Sequence, residues 1–208
     1  PVFSLRSKDS FGVGDFGDLK KMIDWVSLTG QKVLQILPIN DSTITHTWTD
    51  SYPYSSISIF ALHPQYANLK VLPEIKDEET RKRFAALQVE LNALPQIDYE
   101  RVNDAKNEYL QIIYKQEGAK IMKTEKFKQF FEEEKHWLVP YAQYSTLRDK
   151  FGTAVYAEWP DHNQWNEADR DALSNSRTKA YKEVAYYYFL QFVLQEQMME
   201  AHDHARAK

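Results

Sequence analysis

The stretch Gln31-Lys32-Val33-Leu34-Gln35-Ile36-Leu37-Pro38 decides how the fold is read. It is short, nearly continuous and apolar, the pattern of a strand covered on both faces. Pro38 ends it, because proline has no N–H to give a ladder. Upstream, Asp15 to Thr29 reads as a helix, with Phe16, Leu19, Ile23 and Val26 on one stripe. Asp15 stands where a cap belongs and Gly30 just past the end. Downstream, Ile39 to Tyr54 forms a polar, aromatic loop, and Ser55 to Leu62 is a short strand or turn.

The remainder is helical in pattern. Pro73 to Leu94 carries Phe84, Leu87 and Leu91 in register, and Asp98 to Gln116 carries Val102, Ala105, Tyr109 and Ile112. Thr124 to Glu134 and Leu138 to Phe151 follow as two helices, the second with Pro140 in its first turn, where proline is tolerated. Asn166 caps a short helix, and Arg177 to Ala205 is the longest periodic run. Only 6 glycines are present, and three of them lie between Gly12 and Gly17, which favours long helices over many short strands. The expected class is mainly α with a short β element. One buried strand cannot satisfy its own donors and acceptors. A partner strand is therefore expected elsewhere in this chain, beyond it, or in a second copy by self-association, and the chain reads as a fragment.

Composition narrows the function classes. The net charge of −4 gives no basic footprint for nucleic acid. No apolar run approaches the about 20 residues of a membrane span, and no signal-peptide pattern opens the chain. Cysteine is absent, which removes disulfides and thiolate chemistry and agrees with a cytoplasmic setting. Aromatic residues reach 14%, enough to serve both a core and a sugar-stacking surface.

Gly12-Val13-Gly14-Asp15-Phe16-Gly17 fits G-x-G-x-x-G, yet a dinucleotide site is rejected. That fingerprint needs its first glycine at the end of a buried strand. Here Arg6 to Phe11, mostly polar, separate Leu5 from Gly12, and Asp15 would put negative charge at the phosphate position. The motif reads as a tight turn into a capped helix. His202-x-His204 lies beside the terminus and reads as a solvated tail, so no metal site is expected. Arg81-Lys82-Arg83 and Glu132-Glu133-Glu134 read as solvated helix faces.

The loop after the strand holds His46, Trp48, Asp50, Ser51, Tyr52 and Tyr54. Hydroxyls, a carboxylate and flat rings together suit an uncharged polyol: the polar groups bond sugar hydroxyls and the rings cover apolar sugar faces. A stand-alone carbohydrate-binding or interaction module and an enzyme fragment both fit these residues.

Specific phrases carry a resemblance. Pro1-Val-Phe-Ser-Leu5 with Phe11-Gly-Val-Gly-Asp-Phe-Gly-Asp-Leu19, the Gln31 to Asn40 strand phrase, and Asp50-Ser-Tyr-Pro-Tyr-Ser-Ser-Ile-Ser-Ile-Phe-Ala-Leu-His-Pro64 are similar to the start of the amylomaltase catalytic domain, glycoside hydrolase family 77. Phe130 to Trp159 resembles that family's helical insertion, and Tyr187 to Phe192 with Gln195 and Gln197 the helix before its second barrel strand. Tyr52, between Ser51 and Pro53, resembles the branch of the plant cytosolic disproportionating enzyme. The resemblance implies the N-terminal part of a (β/α)8 barrel with a helical insertion. It divides the chain into residues 1–70 (first strand, helix and substrate loop), 71–176 (insertion) and 177–208 (helix leading to the second strand). It implies a 4-α-glucanotransferase acting on maltooligosaccharide or α-glucan, without a cofactor. Retaining chemistry of this kind needs two carboxyl groups about 5–5.5 Å apart. The family's Arg-x-Asp and Glu-Asp-Leu-Gly contexts are absent here, so no catalytic residue is expected in this chain and the chain alone is expected to be inactive, with the remainder of the catalytic domain as its partner. The substrate contacts implied are Tyr54 and Ser51. Asp50 as a positioning residue, or alternatively as a turn cap, and Tyr52 and Trp48 complete the candidate set.

Overall fold

The computed structural model describes residues 1–164 and 166–208. Its helices are α1 (Phe16–Leu28), α2 (Glu78–Ala93), α3 (Tyr99–Ile113), the single turn α4 (Ala119–Ile121), α5 (Glu125–Phe151), α6 (Glu167–Leu173) and α7 (Lys179–Arg206). A π-helical turn, Tyr114–Gly118, joins α3 to α4. Among the described residues the β content is one antiparallel bridge, Asn40 with Leu62.

Local chemistry sets the ends of α1. The Asp15 carboxylate accepts the Gly17 and Asp18 amides at 2.8 and 3.2 Å, and Asp18 accepts the Asp15 amide at 3.3 Å, a reciprocal capping box. At the other end Gly30 takes φ +75°, so that Gln31 N reaches Val26 O and Gly30 N reaches Ser27 O, each at 3.0 Å. This left-handed stop is the one expected from Gly30.

The helix α7 is the axis of the fold. Val184 to Leu194 are all buried, so the helix is enclosed on every side here rather than along one stripe. It packs against α5 and α1, and Phe127 and Phe130 of α5 meet Phe192 at ring distances of 5.3 and 5.4 Å. One continuous core runs from Val2 to Ala201, with a satellite of Leu147, Trp159 and Leu173 beside α6.

Two expectations are corrected. The segments Thr124 to Glu134 and Leu138 to Phe151 form one helix, α5, with Pro140 in its interior. An interior proline costs about 3 kcal/mol. Burial on both sides of it, by Phe127, Phe130 and Leu138 before and Tyr141 and Ala142 after, offsets that cost. The expected strand at Gln31 to Pro38 is extended chain without a ladder. Val33 is 79% exposed, while Leu34 and Ile36 lie against the core. A strand exists only where a second backbone runs alongside, and among the described residues none does so at 32–38. Pairing begins at the segment's end, where His63 N bonds Ile39 O at 3.0 Å and Asp41 N bonds Ala61 O at 2.8 Å. Ser55 to Leu62, read as a short strand or turn, is irregular chain with bends that ends on the bridge at Leu62.

Side chains replace the missing ladder along residues 62–68. Gln191 of α7 bonds both N and O of Leu62, at 2.8 and 2.9 Å. Gln197, almost two turns on, does the same for Asn68, at 2.8 and 3.2 Å. The Lys106 ammonium, fully buried, donates to Gln65 O and Ala67 O at 2.6 and 2.8 Å. Irregular backbone can be buried only with such partners.

The N-terminal segment threads over α1 at Gly14, whose amide bonds Phe3 O at 2.9 Å. A Cβ at Gly14 would lie 2.2 Å from Val2 O and 2.9 Å from Leu5 N, both backbone atoms that cannot swing aside. Gly14→Ala should therefore lower stability by about 2–3 kcal/mol in urea unfolding; a loss under 0.5 kcal/mol would contradict this close approach.

Candidate functional site

The loop from Asp41 to Ser56 is built on two buried carboxylates. Asp41 Oδ1 accepts the Thr43 amide and hydroxyl at 3.0 and 2.6 Å, and its Oδ2 accepts the Tyr141 hydroxyl at 2.6 Å. Burial, then the adjoining Asp41 charge, holds the Tyr141 hydroxyl well above its ordinary pKa. Asp50 Oδ2 gathers the amides of Ile44, Thr45 and His46 at 2.9, 2.8 and 2.7 Å. Ser42 closes the ring by donating to Asp50 O at 2.6 Å. Successive amides turned onto one carboxylate form a tight nest, and His46 adopts φ 60° within it.

A second tier, on α5 and α7, holds the loop from outside. Arg148 donates to Thr43 O at 2.7 Å and to Asp149 Oδ1 at 2.8 Å. The same Asp149 oxygen meets His46 Nε2 at 2.8 Å, and Asp149 Oδ2 accepts the Tyr187 hydroxyl. Burial alone would raise Asp149; His46 and Arg148 outweigh it and bring the carboxyl down to about 2. A small cavity of about 50 Å³ lies between these groups and Tyr99, Asn103 and Asp104 of α3. Beneath the loop, His63 is buried and its pKa is lowered by burial. Its Nδ1 accepts the Gln65 amide at 3.1 Å, so Nε2 carries the proton toward Tyr99 Oη at 2.8 Å.

The frame leaves rings outside. Trp48 is 70% exposed, Tyr52 59% and Tyr54 60%. The Tyr52 and Tyr54 rings lie 5.5 Å apart at 48°, a paired platform. Trp48 and Ser51 sit on the short turn Trp48–Ser51 and line a separate cleft of about 490 Å³ with Tyr99 and Glu100 of α3 and the capping Asp98. Glu100 also accepts the Trp48 amide at 3.0 Å. The five candidates thus divide. Tyr52 and Tyr54 stand together, Trp48 and Ser51 share a cleft, and Asp50 points inward with its carboxylate taken up by the loop's own amides. The two loop carboxylates, Asp41 and Asp50, are both committed to protein donors, so the exposed face presents rings and hydroxyls.

Sequence reading passed over Asp41, Tyr141 and Tyr187 as parts of this frame, and gave Arg148-Asp149 no role in it. Phe60, 48% exposed and stacked on Trp137 at 5.7 Å and 16°, extends the aromatic surface away from the loop.

A family model described as 4-alpha-glucanotransferase, glycoside hydrolase family 77, matches residues 1–208. The chain belongs to glycoside hydrolase family 77. Among family 77 relatives it is 36% identical to the 4-alpha-glucanotransferase DPE2 of Oryza sativa subsp. japonica, across 100% of this chain and 22% of that protein. It is 34% identical to the 4-alpha-glucanotransferase of Chlamydia trachomatis, across 100% of this chain and 38% of the relative. The chain therefore spans well under half the length of either family 77 relative. The crystal structure of amylomaltase from Corynebacterium glutamicum superposes with a TM-score of 0.73 at 22% identity, covering 99% of this chain and 27% of that one. The mainly helical fold is thus shared with part of a larger enzyme.

Proposed function

We propose that this chain supplies the acceptor-side wall of a 4-α-glucanotransferase that moves α-1,4-glucan segments between maltooligosaccharides or glucans with retention. The observation that carries this reading is the exposed Tyr52/Tyr54 pair on a loop whose polar frame is complete without a ligand. A rigid loop with free rings binds sugar faces without first losing conformational freedom. In this reading Tyr54 and Tyr52 stack on sugar, Ser51 and Trp48 contact it from the neighbouring cleft, and Asp50 acts by shaping the loop. Residues 1–70 form the first strand, helix and substrate loop of a barrel, 71–176 the helical insertion, and 177–208 the helix toward the second strand. The open edges of residues 32–38 are then covered by the remainder of the catalytic domain, which also carries the catalytic carboxylates. Among the described residues no helix is long and apolar enough to cross a membrane; a cytoplasmic setting is part of the proposal.

Maltoheptaose titrated against the 208-residue chain, followed by tryptophan fluorescence, tests it. Tyr54→Ala should weaken binding about three- to tenfold, the value of one aromatic contact. The unsubstituted chain should show no disproportionation of maltotriose. Unchanged affinity in Tyr54→Ala, or substantial turnover by the chain alone, would sink the corresponding part of the reading.

A further inference from the structure

The outer tier of the loop frame is chemically expensive for a purely structural contact. Arg148 is 2% exposed, and taking a guanidinium out of water costs several kcal/mol before its attraction to the half-exposed Asp149 carboxylate repays any of it. Helices α5 and α7 pack on the core largely through apolar and aromatic side chains, which need no ion pair. At this point the ionic groups end on the loop instead: Arg148 on Thr43 O, and Asp149 on the His46 ring. His46 lies in the left-handed region, where a non-glycine residue persists only when its surroundings over-determine it. Two anchors do so. Asp50 holds the His46 amide from inside the loop, and Asp149 holds its imidazole from α5. Two residues further on, Trp48 leaves the bend, followed by Ser51 and the tyrosine pair.

We propose that Asp149 is a positioning residue: by holding His46 it sets the exit of the loop, and so the placement of Trp48, Ser51, Tyr52 and Tyr54, before a glucan arrives. The inference rests on the reading of this loop as a glucan-binding wall. It also gives the helical segment 71–176 a task at the site, since Asp149 belongs to that segment and bonds His46 without lining the Trp48/Ser51 cleft. Loop order established in advance lowers the ordering cost of binding.

Hydrogen exchange of the amides at 43–54 and maltoheptaose affinity, measured together on the 208-residue chain, test the proposal. Asp149→Ala removes the anchor. His46→Asn tolerates the left-handed backbone but is too short to reach Asp149, and leaves the Arg148–Asp149 pair intact. Each should speed loop exchange about tenfold and weaken maltoheptaose binding about tenfold, with exchange in α7 unchanged. The double variant should resemble the singles, because both remove one contact. Asp149→Asn, which retains an acceptor for His46 and Arg148, should recover most of the affinity. Should Asp149→Ala fail to fold, His46→Asn alone decides. Loop exchange unaltered in His46→Asn, or fully additive effects in the double variant, would overturn the proposal. Absence of maltoheptaose binding by the unsubstituted chain would count against the glucan reading, and the exchange data would still decide whether Asp149 holds the loop.

Discussion

Lys106→Met is expected to destabilise the fold by about 3–5 kcal/mol, the usual consequence of removing one member of a buried polar assembly. Lys106 is 0% exposed, and its ammonium is held by Gln65 O and Ala67 O with the Asp15 carboxylate 3.9 Å away. Methionine fills a similar volume, so packing changes little. What changes is polar satisfaction. Two buried carbonyls lose their donor, and Asp15, already pushed up by burial, loses the nearby cation that opposes the shift. The same carbonyls fix the segment between the loop and α2, so the lesion reaches the loop's base. Urea unfolding measures it; a loss below 1 kcal/mol would mean that water replaces the ammonium.

The second large effect is alkaline unfolding. Tyr66, Tyr99, Tyr141, Tyr186, Tyr187 and Tyr188 are buried, and burial raises each of their hydroxyl pKa values, that of Tyr66 to about 12. In the unfolded chain these hydroxyls ionise near pH 10, while the native state keeps its protons. The stabilisation is fully present below pH 10 and is lost as pH rises toward the native values, by about 1.4 kcal/mol per tyrosine per pH unit. Lys106 works in the opposite direction. Burial lowers its pKa from 10.5 to about 8, so the unfolded state binds more protons between those values and stability rises with pH there. One lysine is outweighed by six tyrosines once pH passes 10. Stability measured by denaturant at pH 9, 10 and 11 should therefore fall steeply over the last step, by about 5–8 kcal/mol if all six stay protonated. A flat profile to pH 11 would show that these hydroxyls reach solvent.

Much of the helical layout was legible because its signals are local. Asp15 and Gly30 delimit α1, Asn166 caps α6, and α7 begins and ends within two residues of the run read from periodicity. Pro140 misled because proline's local cost is visible in sequence, whereas the burial that offsets it is not. The strand failed for a related reason: an apolar run states that a segment wants cover, but not which backbone will lie beside it. At the site, the exposed rings at 48, 52 and 54 could be picked out by residue type. The frame could not, since Thr43 and Arg148, His46 and Asp149, and Asp41 and Tyr141 are each about a hundred positions apart. Asp50 is instructive. Its type suits a sugar hydroxyl or a turn equally, and only the three amides turned toward it favour the turn.

The contact between α1 and α7 has a consequence for the order in which the chain can fold. Lys20 pairs with Glu200 and Asp24 with His204 and Lys208, so partners lie some 180 residues apart. On a ribosome, α1 emerges before α7, and the helix that covers its apolar stripe follows at about 5–20 residues per second, a delay of roughly 10–35 s. Through that interval Leu19, Ile23 and Val26 have only the segments already made to shelter them. The capping box and the left-handed stop at Gly30 are completed within α1's own neighbourhood, so the helix can hold its limits while it waits for its partner.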